Sequence, residues 1–250
     1  MLSDFPQHCS PFGISIFAQG WPVAKFHHAC NMMAQMLDND QDGCADDATV
    51  VENMRLNQAG MGMFEDDNSV NYDLFPDNFR GQDLYASETE PSCSGSDETA
   101  DCRDAAIEEM FHLISVSGIG PAYPDHFSDC NNDISRLSVM QEQMDIARGG
   151  HFTSMPESYP SNAIYHYDDE SCEYNCMATE FFYWTLTSML NGQGKPIFDV
   201  CACSILKILN ILLTDLSSLQ QTLELNGMPM NGKHLLTQPF KVNFLTCTAC

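Results

Sequence analysis

Basic residues are what this sequence has least of. Only 10 of its 250 residues are Lys or Arg, against 35 Asp or Glu, for a formal net charge of −25. Such a chain repels phosphate backbones and anionic bilayers, which excludes nucleic acids and acidic membrane surfaces as natural partners. It favours cations, or a saline or calcium-rich setting. Long hydrophobic runs are also lacking. The most apolar stretch, Val200 to Leu213, is 14 residues long and contains Lys207 and Asn210, too short to span a bilayer. Met1 is followed by Leu-Ser-Asp-Phe-Pro, without the basic and apolar segments of a secretory signal, so a secreted form would be a mature or truncated one. No glycine-rich phosphate loop, G-x-S-x-G elbow or internal repeat appears.

Cysteine, in contrast, is plentiful. There are 12, an even number that fits disulfides and an oxidising, extracellular compartment. They are scattered at Cys9, Cys30, Cys44, Cys93, Cys102 and Cys130, and then clustered as Cys172/Cys176, Cys201/Cys203 and Cys247/Cys250. The last two pairs could hold zinc between them, but a long apolar stretch separates them, so disulfides are the expected use. An apolar content of 44% is that of a globular protein able to bury a core.

Hydrophobic periodicity gives a coarse map. Phe12 to Ala18 alternates like a strand, and Ala24 to Leu37 reads as a helix with Phe26, Ala29, Cys30, Met33 and Leu37 on one face. His27 and His28 lie on that helix and are expected to be ordinary polar positions. A helix over Ala48–Asn57 and short strands over Gly60–Phe64 and Gln82–Ser87 follow. Ala105 to Ile114 reads as a helix, with Asp101 or Asp104 to cap it and Gly118 and Gly120 to stop it. A rigid Ile119–Pro124 turn comes next, then helices over Ser135–Ala147 and Met177–Leu190. Further helices within Ile197–Leu225 and a last strand, Phe240 to Leu245, complete the map. The expected class is α+β, mainly helical, with a small sheet in the N-terminal half. Residues 1–195 would form the main domain and 196–250 a Cys-containing helical extension.

The most specific motif is Asp38-Asn39-Asp40-Gln41-Asp42-Gly43-Cys44-Ala45-Asp46. It resembles the D-x-D-x-D-G loop of EF-hands and related calcium modules. Alternate carboxylates can converge on one hard cation, and the glycine permits the sharp turn. The resemblance implies Asp38, Asp40 and Asp42 as side-chain ligands, the Cys44 carbonyl as another, and Asp46 directly or through water. Thr49 stands where EF-hands carry a bidentate Glu, so an isolated loop should bind calcium weakly, with Kd of about 10⁻⁴–10⁻³ M. Asp47 or Glu52 could substitute.

The helix over Ala105–Ile114 carries Glu108, Glu109 and His112. Glu108 and His112 stand at i and i+4 and point the same way. Apart from one ligand, this is similar to the His-Glu-x-x-His helix of the zincin metalloproteases, in which two metal ligands flank a general base. Here Glu108 replaces the first His. Reading Glu109 and His112 as half of a di-iron bundle would need a second Glu-x-x-His, which the chain lacks. The strongly apolar helix from Met177 has Glu180 as its only charge, and a buried carboxylate needs a partner or a metal. Glu180 therefore resembles the third ligand that a second helix supplies in the gluzincin branch, with His166, Asp168 and His126 in reserve.

Two functional readings follow. In the first, the chain is a secreted zincin-like hydrolase of peptides or proteins, or an inactive descendant. Glu108, His112 and Glu180 would hold zinc or another divalent metal, Glu109 would act as base, and the calcium loop would be structural. In the second, it is a non-catalytic extracellular calcium-binding or matrix protein.

Overall fold

The computed structural model describes residues 5–71, 75, 79–93, 104–130 and 134–189. These fall into two compact units, the first ending at Ser128 and the second beginning at Asp129. The expected boundary at 195, the 196–250 extension with its helices and strand, and Cys201, Cys203, Cys247 and Cys250 lie outside the described residues.

The first unit is built on a four-stranded mixed sheet with order β1-β2-β3-β4. β1 (Gln7–Cys9) pairs antiparallel with β2 (Ser15–Ala18), whereas β2–β3 (Ala59–Phe64) and β3–β4 (Arg80–Tyr85) are parallel. The strand expected from Phe12 begins only at Ser15, because Pro11–Gly13 makes a tight turn with positive φ at Phe12 and Gly13. Arg55 clamps that turn by donating from Nε and Nη2 to the Phe12 carbonyl. The crossover from β2 to β3 carries α1 (Val23–Leu37) and α2 (Ala48–Leu56), since parallel neighbours cannot be joined by a hairpin. On α1 the buried face is Phe26, Ala29, Met33 and Leu37, as the apolar spacing predicts, and Cys30 is bonded to Cys9 of β1.

Strand periodicity decides what each face of the sheet does. Ala59, Met61 and Met63 join Ile16, Ala18 and Leu84 in the core, against Phe26, Ala29 and Met33 of α1 and Met110 and Leu113 of the motif helix. Gly60 and Gly62 alternate with them on the opposite face. There Phe79 and Phe75 lie so close that a Cβ on Gly60 or Gly62 would come within 2.6 or 2.9 Å of a ring carbon. Phe5 and Phe17 extend this aromatic layer.

The motif helix, α3 (Ala106–Ile114), does not stop at Gly118. It widens into a π-helical turn, Ser115–Ile119, and continues as α4 (Gly120–Ala122) before α5 (Pro124–Phe127). This corrects the expected terminator and the rigid turn. Two features explain the continuation. Pro121 has no N–H to offer the Ser117 carbonyl four residues back, and the Asn57 side-chain amide donates to that carbonyl instead, at 2.9 Å. Gly118 gives the close approach, since a Cβ there would sit 2.8 Å from both Met54 and Val50 side chains of α2.

The second unit pairs α6 (Val139–Arg148) with α7 (Tyr174–Met189). α6 starts four residues later than expected because Ser138 and Gln141 form a reciprocal capping box there, and it ends on left-handed Gly149. Arg148 is fully buried. Its guanidinium donates to Asp145 at 3.2 Å and to the Phe152 carbonyl at 2.8 Å, and it lies 5.6 Å from the ring centres of Phe152 and Tyr174. Asp145 also meets His151 Nδ1 at 2.7 Å and accepts from the Tyr174 hydroxyl at 3.1 Å. A Cys172–Cys176 disulfide bridges the start of α7. Among the described residues, no helix is long and apolar enough to cross a membrane.

Candidate metal centre and cleft

The start of α3 is fixed by Asp104. One carboxylate oxygen accepts from the Ala106 amide at 3.2 Å, and the other lies 2.7 Å from His28 Nε2 on α1. Asp104 therefore holds the first residue of the helix and ties it to α1, although the cap position itself is Ala105, which makes no side-chain cap. His28, which its position on α1 marked only as a polar residue, is the partner of Asp104. No local pattern announces a pair 76 residues apart.

From that start the helix turns Glu108 and His112 inward together with Met110 and Leu113. Glu108 and His112 are each only 7% exposed, and a donor atom of one lies within 4.8 Å of a donor atom of the other. Glu109, one position round, lies at the side facing β4. Its Oε2 accepts from Gln82 Nε2 and stands 3.9 Å from His112 Nδ1. Gln82 had no expected role, because its contact depends on the register of β4 beside α3. The strand itself runs Arg80–Tyr85, two residues earlier than alternation alone suggested.

Glu109 opens onto a cavity of about 590 Å³, lined by Phe75, Phe79, Gly81, Gln82, Asp83, Tyr85, Glu88 and itself. Burial is the main cause that pushes the Tyr85 phenol pKa up, with the Asp83 and Glu88 charges adding to it. The cavity follows β4, which among the described residues is an edge strand of the sheet.

Glu180 belongs to α7 in the second unit. It is partly buried, and its Oε2 accepts from Trp184 Nε1 at 3.1 Å, one helical turn on. It stands near Tyr165, whose pKa is raised mainly by burial and next by the Glu180 charge. Of the reserves, His166 is exposed and stacks on Tyr159 at 4.7 Å, and Asp168 is exposed. His126 lies on α5 beside Phe127.

The acidic loop joins the end of α1 to the cap of α2. Asp38, Asp40 and Asp42 bring one oxygen each to within 4.8 Å of one another. Asp38 is 8% exposed and accepts from the amides of Asp42 and Gly43 at 3.1 and 3.0 Å, so it holds the turn as well as offering a ligand. Gly43 adopts φ +87°, the left-handed conformation for which the motif requires glycine. Asp46 is not part of the converging trio. Its Oδ2 accepts from the Asn39 amide at 2.9 Å and closes the loop. The Cys44 thiol is exposed and not disulfide-bonded, and its pKa is raised chiefly by Asp42. The candidates for the twelfth position are engaged elsewhere. Asp47 caps α2 through the Thr49 and Val50 amides and accepts from the Tyr123 hydroxyl, while Glu52 pairs with Arg55 at 3.6 Å.

Cys9, Cys30, Cys93, Cys172 and Cys176 are disulfide-bonded. Comparison with protein-family models, curated proteins and solved structures finds no match.

Proposed function

We propose that this chain is a secreted zincin-like metal-dependent hydrolase of peptides or proteins, with a structural calcium loop. The observation that carries the reading is the division of labour on α3. Glu108 and His112 are buried side by side with donor atoms within 4.8 Å, while Glu109 beside them opens onto a ligand-sized cleft. A π-helical turn directly after such a helix supports the reading, since these turns gather at functional sites. The disulfides support an oxidising compartment.

Glu108 and His112 would be two ligands, and Glu180, the acid that the sequence singles out on α7, is the candidate for the third. Two carboxylates and one imidazole suit zinc and harder divalent ions alike. A divalent ion would supply Lewis-acid polarisation of a carbonyl and a lowered water pKa. Glu109 would take the proton of the attacking water and return it to the leaving amine, with the Gln82 amide holding its carboxylate in the cleft.

The test is metal content by mass spectrometry together with hydrolysis of a denatured protein substrate. The native chain is expected to hold one zinc-type ion and one calcium. His112→Ala should lose the first ion and all hydrolysis, Glu109→Gln should keep the ion and lose hydrolysis, and Glu180→Gln should weaken retention of the ion. A protein that binds calcium alone and hydrolyses nothing would be the non-catalytic calcium-binding protein, a reading favoured by the separate convergence of Asp38, Asp40 and Asp42.

A further inference from the structure

We propose that the β4 cleft selects a cationic group on its ligand, an alkylammonium or guanidinium carried by a peptide. Its place beside the scissile bond rests on the hydrolase reading above; its binding does not.

Among the described residues, eight line the cleft; three are carboxylates, Asp83, Glu88 and Glu109, and none of the eight is Lys, Arg or His. Gly81 and Gln82 aside, the other described lining residues are aromatic. Phe75 and Phe79 stack with centroids 4.5 Å apart and planes 17° from parallel, and Tyr85 is the third. A flexible alkyl stem packs on such rings, and its charged end gains from ring faces and carboxylates together. The carboxylates also differ from the two acidic groups described above. Among the described residues, Asp83, Glu88 and Glu109 do not form a trio whose donors all lie within 4.8 Å of one another, so they suit an extended organic cation better than a point-like metal. Burial is the first cause of the raised Tyr85 phenol pKa, and the Asp83, Glu88 and Glu109 charges add to it. Two of the acids are held in place by neighbours on or next to β4. Glu88 Oε1 accepts from the Tyr85 amide at 3.2 Å, and Glu109 accepts from Gln82, so the charges are pre-positioned before a ligand arrives.

Binding is measured by titration calorimetry in about 0.15 M salt, where interactions between distant exposed charges are largely screened. The probes are blocked pentapeptides with a central Lys, Arg, norleucine or Glu, plus an unblocked peptide without Lys or Arg, which separates an α-amine from a side-chain cation. Lys or Arg peptides, or the free-amine peptide, should bind at least tenfold tighter than the norleucine and Glu peptides. Asp83→Asn with Glu88→Gln should remove about tenfold of that preference. Glu157→Gln with Glu170→Gln, which removes the same charge from exposed positions in the second unit, should leave it intact. Equal affinity for all peptides, no binding of any, or equal losses in the two double variants would overturn the proposal. Charge-selective binding without turnover would sink the hydrolase reading alone. Turnover without charge preference would sink this proposal alone.

Discussion

The acidic loop makes a prediction whose size can be worked out in advance. If Asp38, Asp40 and Asp42 hold calcium with Kd of about 10⁻⁴–10⁻³ M, 10 mM calcium stabilises the folded state by about 1.4–2.7 kcal/mol through mass action. For a unit of this size, 1 kcal/mol moves the midpoint by about 4 °C, so the expected shift is roughly 6–11 °C. The perturbation is Asp40→Ala with Asp42→Ala. Asp38 is left in place because it is buried and accepts from the Asp42 and Gly43 amides, so removing it would unfold the turn rather than test the ligands. In calcium-free protein the double variant should melt close to the parent. Loss of repulsion between the two carboxylates is offset by loss of the hydrogen bonds they accept from the Cys44 and Asp42 amides. With calcium, only the parent should rise. The assay is thermal unfolding followed by Trp21 fluorescence, since Trp21 is buried in the first unit. A double variant that keeps the whole calcium shift, or a parent that moves by less than about 1 °C at 10 mM calcium, would refute the loop as a calcium site.

In the second unit, Asp145→Ala leaves the Arg148 guanidinium buried without its carboxylate. It should cost about 3–5 kcal/mol, read from urea unfolding followed by Trp184 fluorescence; a loss under about 1 kcal/mol would show that Phe152 and Tyr174 suffice. Thiol titration of denatured, unreduced protein should find few free groups among the 12 cysteines. Ten or more would contradict the bonded state of Cys9, Cys30, Cys93, Cys172 and Cys176 and place the chain in a reducing compartment.

Periodic elements were legible in the sequence, and so was the mixed α/β content of the N-terminal half. The buried face of α1 followed from apolar spacing, and α2 starts at Ala48 as expected and ends within one residue of the expected Asn57. The three-residue β1 was not legible, because Gln-His-Cys carries no alternation long enough to read and exists only by pairing with β2. The end of α3 was misread for a tertiary reason: Asn57, from another helix, supplies the donor that Pro121 lacks. The same limit applies to the cleft. Glu109 stood out from its helix, but Gln82, Asp83 and Glu88 are unremarkable until β4 is laid beside α3. Glu180 was singled out as a lone charge, yet its hydrogen bond to Trp184 needed only i,i+4 arithmetic and was within reach.

The glycines of β3 tie the fate of the strand to that of the cleft. Phe75 and Phe79 occupy the space that side chains at positions 60, 62 and 81 would fill, and the same two rings wall the cavity beside Glu109. A substitution at Gly60 or Gly62, on the face of β3 opposite the core, must displace a ring and so reshape the place where a substrate would lie. Variation at these positions is thus constrained twice, once by folding and once by recognition. An engineer wishing to alter the selectivity of the cleft could work from behind the sheet, trading ring for side chain without touching Glu109.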